Sequence, residues 1–218
     1  MTIKNYIEDL ISKGVSINCI YDIGGWMGYW TENMSNGILK EKEFIIFEAN
    51  PYYADALSKL GKKVFIDVLS DKKGLEVEYY DAPLSGESYY KENTNYYKDH
   101  IPKKRITNTL DSIIEENNLI LPDFIKIDTQ GSELDILKGG IKAINNAKVV
   151  YTECPIIKYN LGAPNIQDYL NFFDYFGFYP MNILETHFMD NVLVQIDIVF
   201  MKKELKNNLY GENKAILQ

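Results

Sequence analysis

One pattern limits the folds open to this chain: an apolar strand runs into a carboxylate and a glycine turn, and a second apolar strand ends in another carboxylate. The first is Ile20-Tyr21-Asp22-Ile23-Gly24-Gly25-Trp26-Met27-Gly28, and the second reaches Phe47-Glu48-Ala49-Asn50-Pro51, with Glu48 twenty residues beyond Gly28. Adjacent parallel strands with this spacing hold a ribose-bearing cofactor across their tips. Further apolar strands over 63–68, 124–128 and 149–153 alternate with stretches of helical period. That order predicts an α/β domain, a mostly parallel sheet with helices on both faces. Ligands gather at the carboxyl ends of such strands. Asp22, Glu48, Asp67, Asp128 and Glu153 all fall at or near ends of this kind.

The remaining elements follow from periodicity and punctuation. Ile3, Tyr6, Ile7, Leu10 and Ile11 share one helical face between a Thr2 cap and Gly14, giving an N-terminal helix within residues 1–14. Helices are predicted from Tyr29 to near Gly37, from Asn50-Pro51 to Gly61, and over 110–116, 131–138 and 165–176. Leu75 to Tyr80 alternates like a half-exposed strand. Residues 178–184 and 192–201 are predicted as a final antiparallel hairpin, its connecting loop of about seven residues carrying His187. Residues 81–106 contain Pro83, Gly86, Pro102 and the pairs Tyr89-Tyr90 and Tyr96-Tyr97, and sustain no period. Such a segment reads as a lid over a substrate. No repeat or linker divides the 218 residues, so a single domain is expected.

Composition excludes several functions. The formal net charge of -8 repels phosphate backbones, which argues against nucleic acid as a partner. The longest apolar runs are strand-sized, so no membrane span is expected. The first residues lack a signal-peptide pattern, which makes the cytoplasm the default location. Cys19 and Cys154 form no disulfide framework and read as small buried apolar residues. The histidines are His100 and His187 alone, which excludes a histidine-rich metal site; a divalent ion on Asp128 and Glu153 is the alternative, but no dense ligand motif supports it and no metal site is predicted. A homo-oligomer through the N-terminal helix or an edge strand stays open.

The first turn also bears on the cofactor. A nicotinamide site would carry a glycine two residues after Gly24, where the backbone meets pyrophosphate; this chain has Trp26 there. A methyl donor of the S-adenosylmethionine type has no phosphates. It needs a carboxylate for the ribose diol and a glycine backbone close by, and Asp-x-Gly-x-x-x-Gly with a distal Glu meets those needs.

Later blocks sharpen this reading. Asp123-Phe-Ile-Lys-Ile-Asp128-Thr-Gln-Gly131-Ser-Glu133-Leu-Asp-Ile-Leu-Lys-Gly139-Gly140 resembles the hallmark block of the FkbM family of S-adenosylmethionine-dependent methyltransferases. Thr109-Leu110-Asp111-Ser112, Val68 to Gly74 and Gln195 to Phe200 resemble further family blocks, so the likeness covers about residues 18–202. Two departures stand out: Gly24-Gly25-Trp26 where the family usually has Gly-Ala-Asn, and Glu48-Ala49-Asn50-Pro51 where it often has Glu-Pro-Asn-Pro. The resemblance implies the Rossmann-like class I methyltransferase fold, with a mostly parallel seven-stranded sheet and an antiparallel strand at its C-terminal end. It also implies S-adenosyl-L-methionine as cofactor and a sugar or natural-product hydroxyl as acceptor.

Roles follow for named residues. Glu48 is expected to accept from both ribose hydroxyls. Gly24 and Gly28 are expected to allow close backbone approach and tight helix packing, Asp22 to order the turn and the amino end of the cofactor, and Asp67 to accept from the adenine amino group. The resemblance puts Asp128 near the methyl-transfer centre. His187 is the first candidate for the base that takes the acceptor proton, with Glu153 and Asp128 as rivals. Ser88, Tyr89 and Tyr90 are candidates for acceptor contact. Methyl transfer to nitrogen or to a phosphorus-linked oxygen, and a non-catalytic binding protein on the same fold, are the alternatives.

Overall fold

The computed structural model describes residues 1–81, 86–93 and 101–211. Its first half contains α1 (Ile3–Ser12), β1 (Cys19–Ile23), α2 (Tyr29–Met34), β2 (Glu43–Glu48), α3 (Ala54–Ser58), β3 (Lys63–Ile66), β4 (Val68–Leu69), β5 (Glu76–Tyr79) and β6 (Lys103–Asn108). The second half contains α4 (Leu110–Asn117), β7 (Phe124–Ile127), α5 (Glu133–Lys138), α6 (Ile141–Asn146), β8 (Val149–Pro155), α7 (Ile166–Tyr175), β9 (Phe178–Met189), β10 (Val192–Lys202) and α8 (Lys203–Tyr210).

A seven-stranded sheet runs in the order β3-β2-β1-β7-β8-β10-β9. The strands from β3 to β8 pair in parallel, and β10 lies antiparallel between β8 and β9. This is the doubly covered α/β sheet that the sequence predicts, with β1 at the point where the strand order reverses. All five residues of β1 are buried, as a central parallel strand requires. Its side chains alternate between two cores. Cys19, Tyr21 and Ile23 face a cluster built with α4, α5, α6 and α7, in which Phe173 stacks on Phe200 at 3.9 Å. Ile20 faces the other cluster, with Ile7 and Leu10 of α1 and Met34 of α2. Cys19 and Cys154 are both free and buried. Among the described residues, no helix is long and apolar enough to cross a membrane.

Several elements differ from the sequence reading. The third strand ends at Ile66. Asp67 N still bonds to Glu48 O at 2.9 Å, but Val68 and Leu69 leave the main sheet and pair with β6. The stretch 103–106, read as part of a lid, belongs to β6, the middle strand of a small sheet ordered β4-β6-β5. Lys104–Glu76 and Lys103–Asp81 ion pairs, both at 2.7 Å, link its flanks. Two short helices, α6 and α8, have no counterpart in the prediction.

The loop predicted around His187 does not exist. Strand β9 continues to Met189, and Asp190-Asn191 alone turn the chain, with φ of 46° and 64°. Two residues at positive φ give the turn whose twist matches a hairpin. His187 therefore sits within a strand, opposite Gln195. Of the proposed lid, residues 81, 86–93 and 101–106 are described; Pro83, Tyr96, Tyr97 and His100 lie outside the described residues.

Candidate active site

A cavity of about 360 Å³ opens above the carboxyl ends of the parallel strands, a size suited to a small molecule. It runs across the sheet, from Glu48 at the tip of β2 and Asp67 after β3, past Gly24 and Asp128, to Glu153 on β8 and His187 on β9. Four of the five carboxylates singled out in the sequence line this one cavity. The fifth, Asp22, does not.

Asp22 lies fully buried beneath the floor. It accepts from Thr31 Oγ1 of α2 at 2.7 Å and pairs with Lys126 Nζ at 3.2 Å. Lys126 also donates to Gly24 O at 2.8 Å and lies 3.8 Å from Asp128. One ammonium thus ties the β1 turn to the end of β7. Burial opposes its charge, but Asp22, Asp128 and Glu48 outweigh that and raise its pKa.

Glu48 is buried, and each carboxylate oxygen is held by the backbone. Oε2 accepts from Trp26 N at 2.7 Å and Oε1 from Asn50 N at 2.8 Å. An ionised carboxylate offers about four acceptor positions, so both oxygens keep capacity for hydroxyl donors in the cavity. Burial raises the Glu48 pKa and the two amides oppose that rise. Trp26 reaches its position in the left-handed region, φ 46°, a conformation that is rare for a bulky side chain. Its ring meets Tyr53 edge-on at 6.4 Å, walling this end of the cavity.

Gly24 has φ +80°, and a Cβ there would lie 1.9 Å from Asp128 O. The turn passes directly against the β7 end, which only glycine allows. Gly28 shows the helix-packing half of that expectation and not the approach to the cavity. It precedes α2 at φ +82°, packs toward Leu60 and Leu57, and is not among the residues lining the cavity. Asp67 lines the cavity and accepts from Asn108 Nδ2 at 2.9 Å.

At the other end, the loop after β7 is shaped by Glu133, which is buried at the start of α5. It accepts from Thr129 N at 2.8 Å, Gly131 N at 3.0 Å and Tyr169 OH at 2.5 Å. The Asp-x-x-Gly-x-Glu spacing is thereby explained: the glutamate fastens the loop whose aspartate meets the cavity. Gln130, also left-handed at φ 54°, donates to Glu153 at 3.1 Å. Burial, then the nearby Asp128, Glu133 and Asp197, raise the Glu153 carboxyl well above the usual carboxylate range.

Residues 86–93 cross the cavity as a strap. Ser88 exchanges backbone bonds with Tyr80, Glu92 bridges to Asn160, and Leu161 N donates to Lys91 O at 2.8 Å. Ser88 and Tyr89 line the cavity; Tyr90 does not, and its hydroxyl donates to Asp135 at 2.5 Å.

The sequence reading missed Glu87, which lines the cavity near Glu48. It accepts from Asn50 Nδ2 at 2.8 Å and Tyr53 OH at 3.2 Å. Burial, with a smaller push from Glu48 against these hydrogen bonds, raises its pKa from 4.5 to about 7. A carboxyl raised on folding favours the folded state fully below 4.5 and withdraws that support as pH rises to about 7. Glu87→Gln is therefore expected to raise the melting temperature at pH 8 relative to wild type, and the gain should fade by pH 4.5. An equal gain at both pH values would show that the shift does not arise from Glu87 ionisation.

Comparisons with known proteins agree with this fold. The family described as Methyltransferase FkbM domain matches residues 22–180. A methyltransferase FkbM from Methylobacillus flagellatus KT is similar in structure, with a TM-score of 0.51 and 17% identity over 84% of this chain. This chain spans 43% of that protein. The magnesium protoporphyrin IX methyltransferase ChlM from Synechocystis PCC 6803, solved with bound SAM, has a TM-score of 0.51 and 8% identity, covering 91% of this chain and 76% of its own. Identities this low speak for the fold alone. No protein of curated function matches the chain. The family match spans most of the sequence, and on it the chain belongs to the FkbM family of S-adenosylmethionine-dependent methyltransferases.

Proposed function

We propose that this protein transfers the methyl group of S-adenosylmethionine to a hydroxyl of a small-molecule acceptor, a sugar or glycan precursor. The observation that carries the proposal is Glu48: a buried carboxylate fixed by two backbone amides, with spare acceptor capacity, at one end of a cavity whose other end holds Asp128, Glu153 and His187. The residues fit the cofactor. Glu48 takes the ribose hydroxyls, Asp67 the adenine amino group, and Gly24 leaves the backbone bare beside them. When bound, S-adenosylmethionine supplies a methyl group already activated on a sulfonium.

The chain then has two tasks, alignment and removal of a proton. The acceptor oxygen gains a carbon bond as the carbon–sulfur bond breaks, and the hydroxyl proton passes to the protein. Glu153, which lines the acceptor end of the cavity and is held by Gln130, takes that proton. Asp128 and Gln130 orient the acceptor beside it. Ser88 and Tyr89 close the cavity from above.

Titration with S-adenosylhomocysteine tests the reading. Glu48→Ala removes two charge-assisted bonds, about 3 kcal/mol together, so its affinity should fall about 100-fold. Unchanged affinity would remove the ribose assignment. Binding of a nicotinamide dinucleotide in place of the homocysteine adduct would remove the function.

A further inference from the structure

The β9–β10 hairpin brings together three metal-ligating side chains. Glu185 and Asp197 are direct cross-strand partners, and His187 stands two residues beyond Glu185, opposite Gln195. One ligand atom from each of Glu185, His187 and Asp197 lies within 4.8 Å of the others. His187 Nε2 is 3.3 Å from Asp197 Oδ1. Two ligands about 2.1 Å from a shared ion, at tetrahedral or octahedral angles, stand about 3.0–3.4 Å apart. The measured separation falls in that window.

Electrostatics and support point the same way. Like charges directly opposite each other in an antiparallel pair are destabilising, and among the described residues no lysine or arginine forms an ion pair with Glu185 or Asp197. Tyr151 OH donates to Asp197 Oδ2 at 2.8 Å and lies 3.5 Å from Glu185 Oε1. Such an outer hydrogen bond fixes a ligating carboxylate and leaves its other oxygen, here Oδ1, for the ion. An amine would not need the imidazole; a metal ion uses it well.

We propose that Glu185, His187 and Asp197 bind one divalent transition-metal ion, of the zinc, cobalt or manganese type that accepts mixed imidazole and carboxylate donors. Three protein ligands leave a coordination position open. His187 also lines the cavity beside Glu153 and Gln195, so the open position borders the acceptor end. Binding of the ion stands independently of the methyl-transfer reading. Its task rests on that reading: it polarises the acceptor hydroxyl and eases the passage of its proton to Glu153. His187 is then a ligand, and the base is Glu153.

The experiment is a titration of untagged, chelator-stripped protein with Co²⁺, followed by visible absorption and competed with Zn²⁺. One equivalent is expected to bind with a ligand-field band. His187→Ala and Asp197→Ala should weaken it at least about 100-fold, and Tyr151→Phe about 10-fold. S-adenosylhomocysteine affinity, measured on the same samples, should stay within a few-fold of wild type, which shows the variants are folded. Wild-type protein that takes up no Co²⁺, or a folded His187→Ala that binds it equally well, overturns the site. Should His187→Ala fail to fold, Tyr151→Phe decides in its place. Metal uptake without homocysteine-adduct binding would leave the site standing and remove the methyl-transfer function.

Discussion

Gly24→Ala should cost about 3–5 kcal/mol of stability, the sum of a left-handed backbone penalty and severe overpacking. The new methyl would lie 1.9 Å from Asp128 O and 2.9 Å from Asp128 C, both backbone atoms. The turn has no freedom to retreat. Gly24 N donates to Phe47 O at 2.9 Å, and Gly24 O accepts from Lys126 at 2.8 Å. For a chain of this length the loss corresponds to a fall of about 10 °C in melting temperature. Gly61→Ala is the matched control. Its φ is +64°, yet nothing lies within 4 Å of the added carbon, so only the backbone penalty of about 1 kcal/mol applies. Thermal melts of the two variants separate the causes. Equal falls would mean that the approach of the β1 turn to β7 is not tight.

Lys126→Met should be comparably damaging, at about 3–5 kcal/mol, because it strands a buried charge. Asp22 is wholly inaccessible to solvent, and its remaining described partner is Thr31 Oγ1. Methionine fills the space but cannot answer the carboxylate. Neutralising both partners, Lys126→Met with Asp22→Asn, should recover much of the loss, since an ion pair replaced as a unit costs little. Urea unfolding of the two single variants and the double one gives the coupling directly. If the double variant is as unstable as the sum of the singles, the two side chains act independently and the ion pair is incidental. The variant also bears on the cavity, because the same ammonium braces Gly24 O and Asp128.

Much of this architecture could be read from the residues. Phe44 to Phe47 and Val149 to Tyr151 are continuous apolar runs, and Ile20 to Ile23 and Phe124 to Ile127 are interrupted only by Asp22 and Lys126, which pair with each other. Central parallel strands need such runs because both their faces are covered. The acids at their ends marked the rim, and Glu48, Asp67, Asp128 and Glu153 do share one cavity. Asp22 was separable from them only in three dimensions. Asp22 and Lys126 are partners across the β1–β7 ladder, so the lysine reaches the aspartate and buries it.

The less legible parts lacked a physical signal in one dimension. Strand β6 has three exposed residues of six and reads Lys-Lys-Arg-Ile-Thr-Asn, with no apolar alternation; its cue is the complementary Glu76-x-Glu78 of β5. Helices α6 and α8 have six and eight residues, too few to establish a period. Glu87 lies in a stretch without periodicity, and its place beside Glu48 depends on the strap above the cavity. His187 reads as a loop residue in one dimension, and Asp190-Asn191 carries no glycine to mark the tight hairpin that the structure shows.

That tight reversal has a consequence for how sequences of this kind can diverge. Side chains on a strand alternate, so slipping β9 by a single place against β10 would swing Glu185 and His187 together to the outer surface. Two residues at positive φ supply no slack to absorb an insertion or deletion. The length of that solvent-facing corner thus governs which groups line this end of the cavity, and lineages that alter it must rebuild that end from other strands.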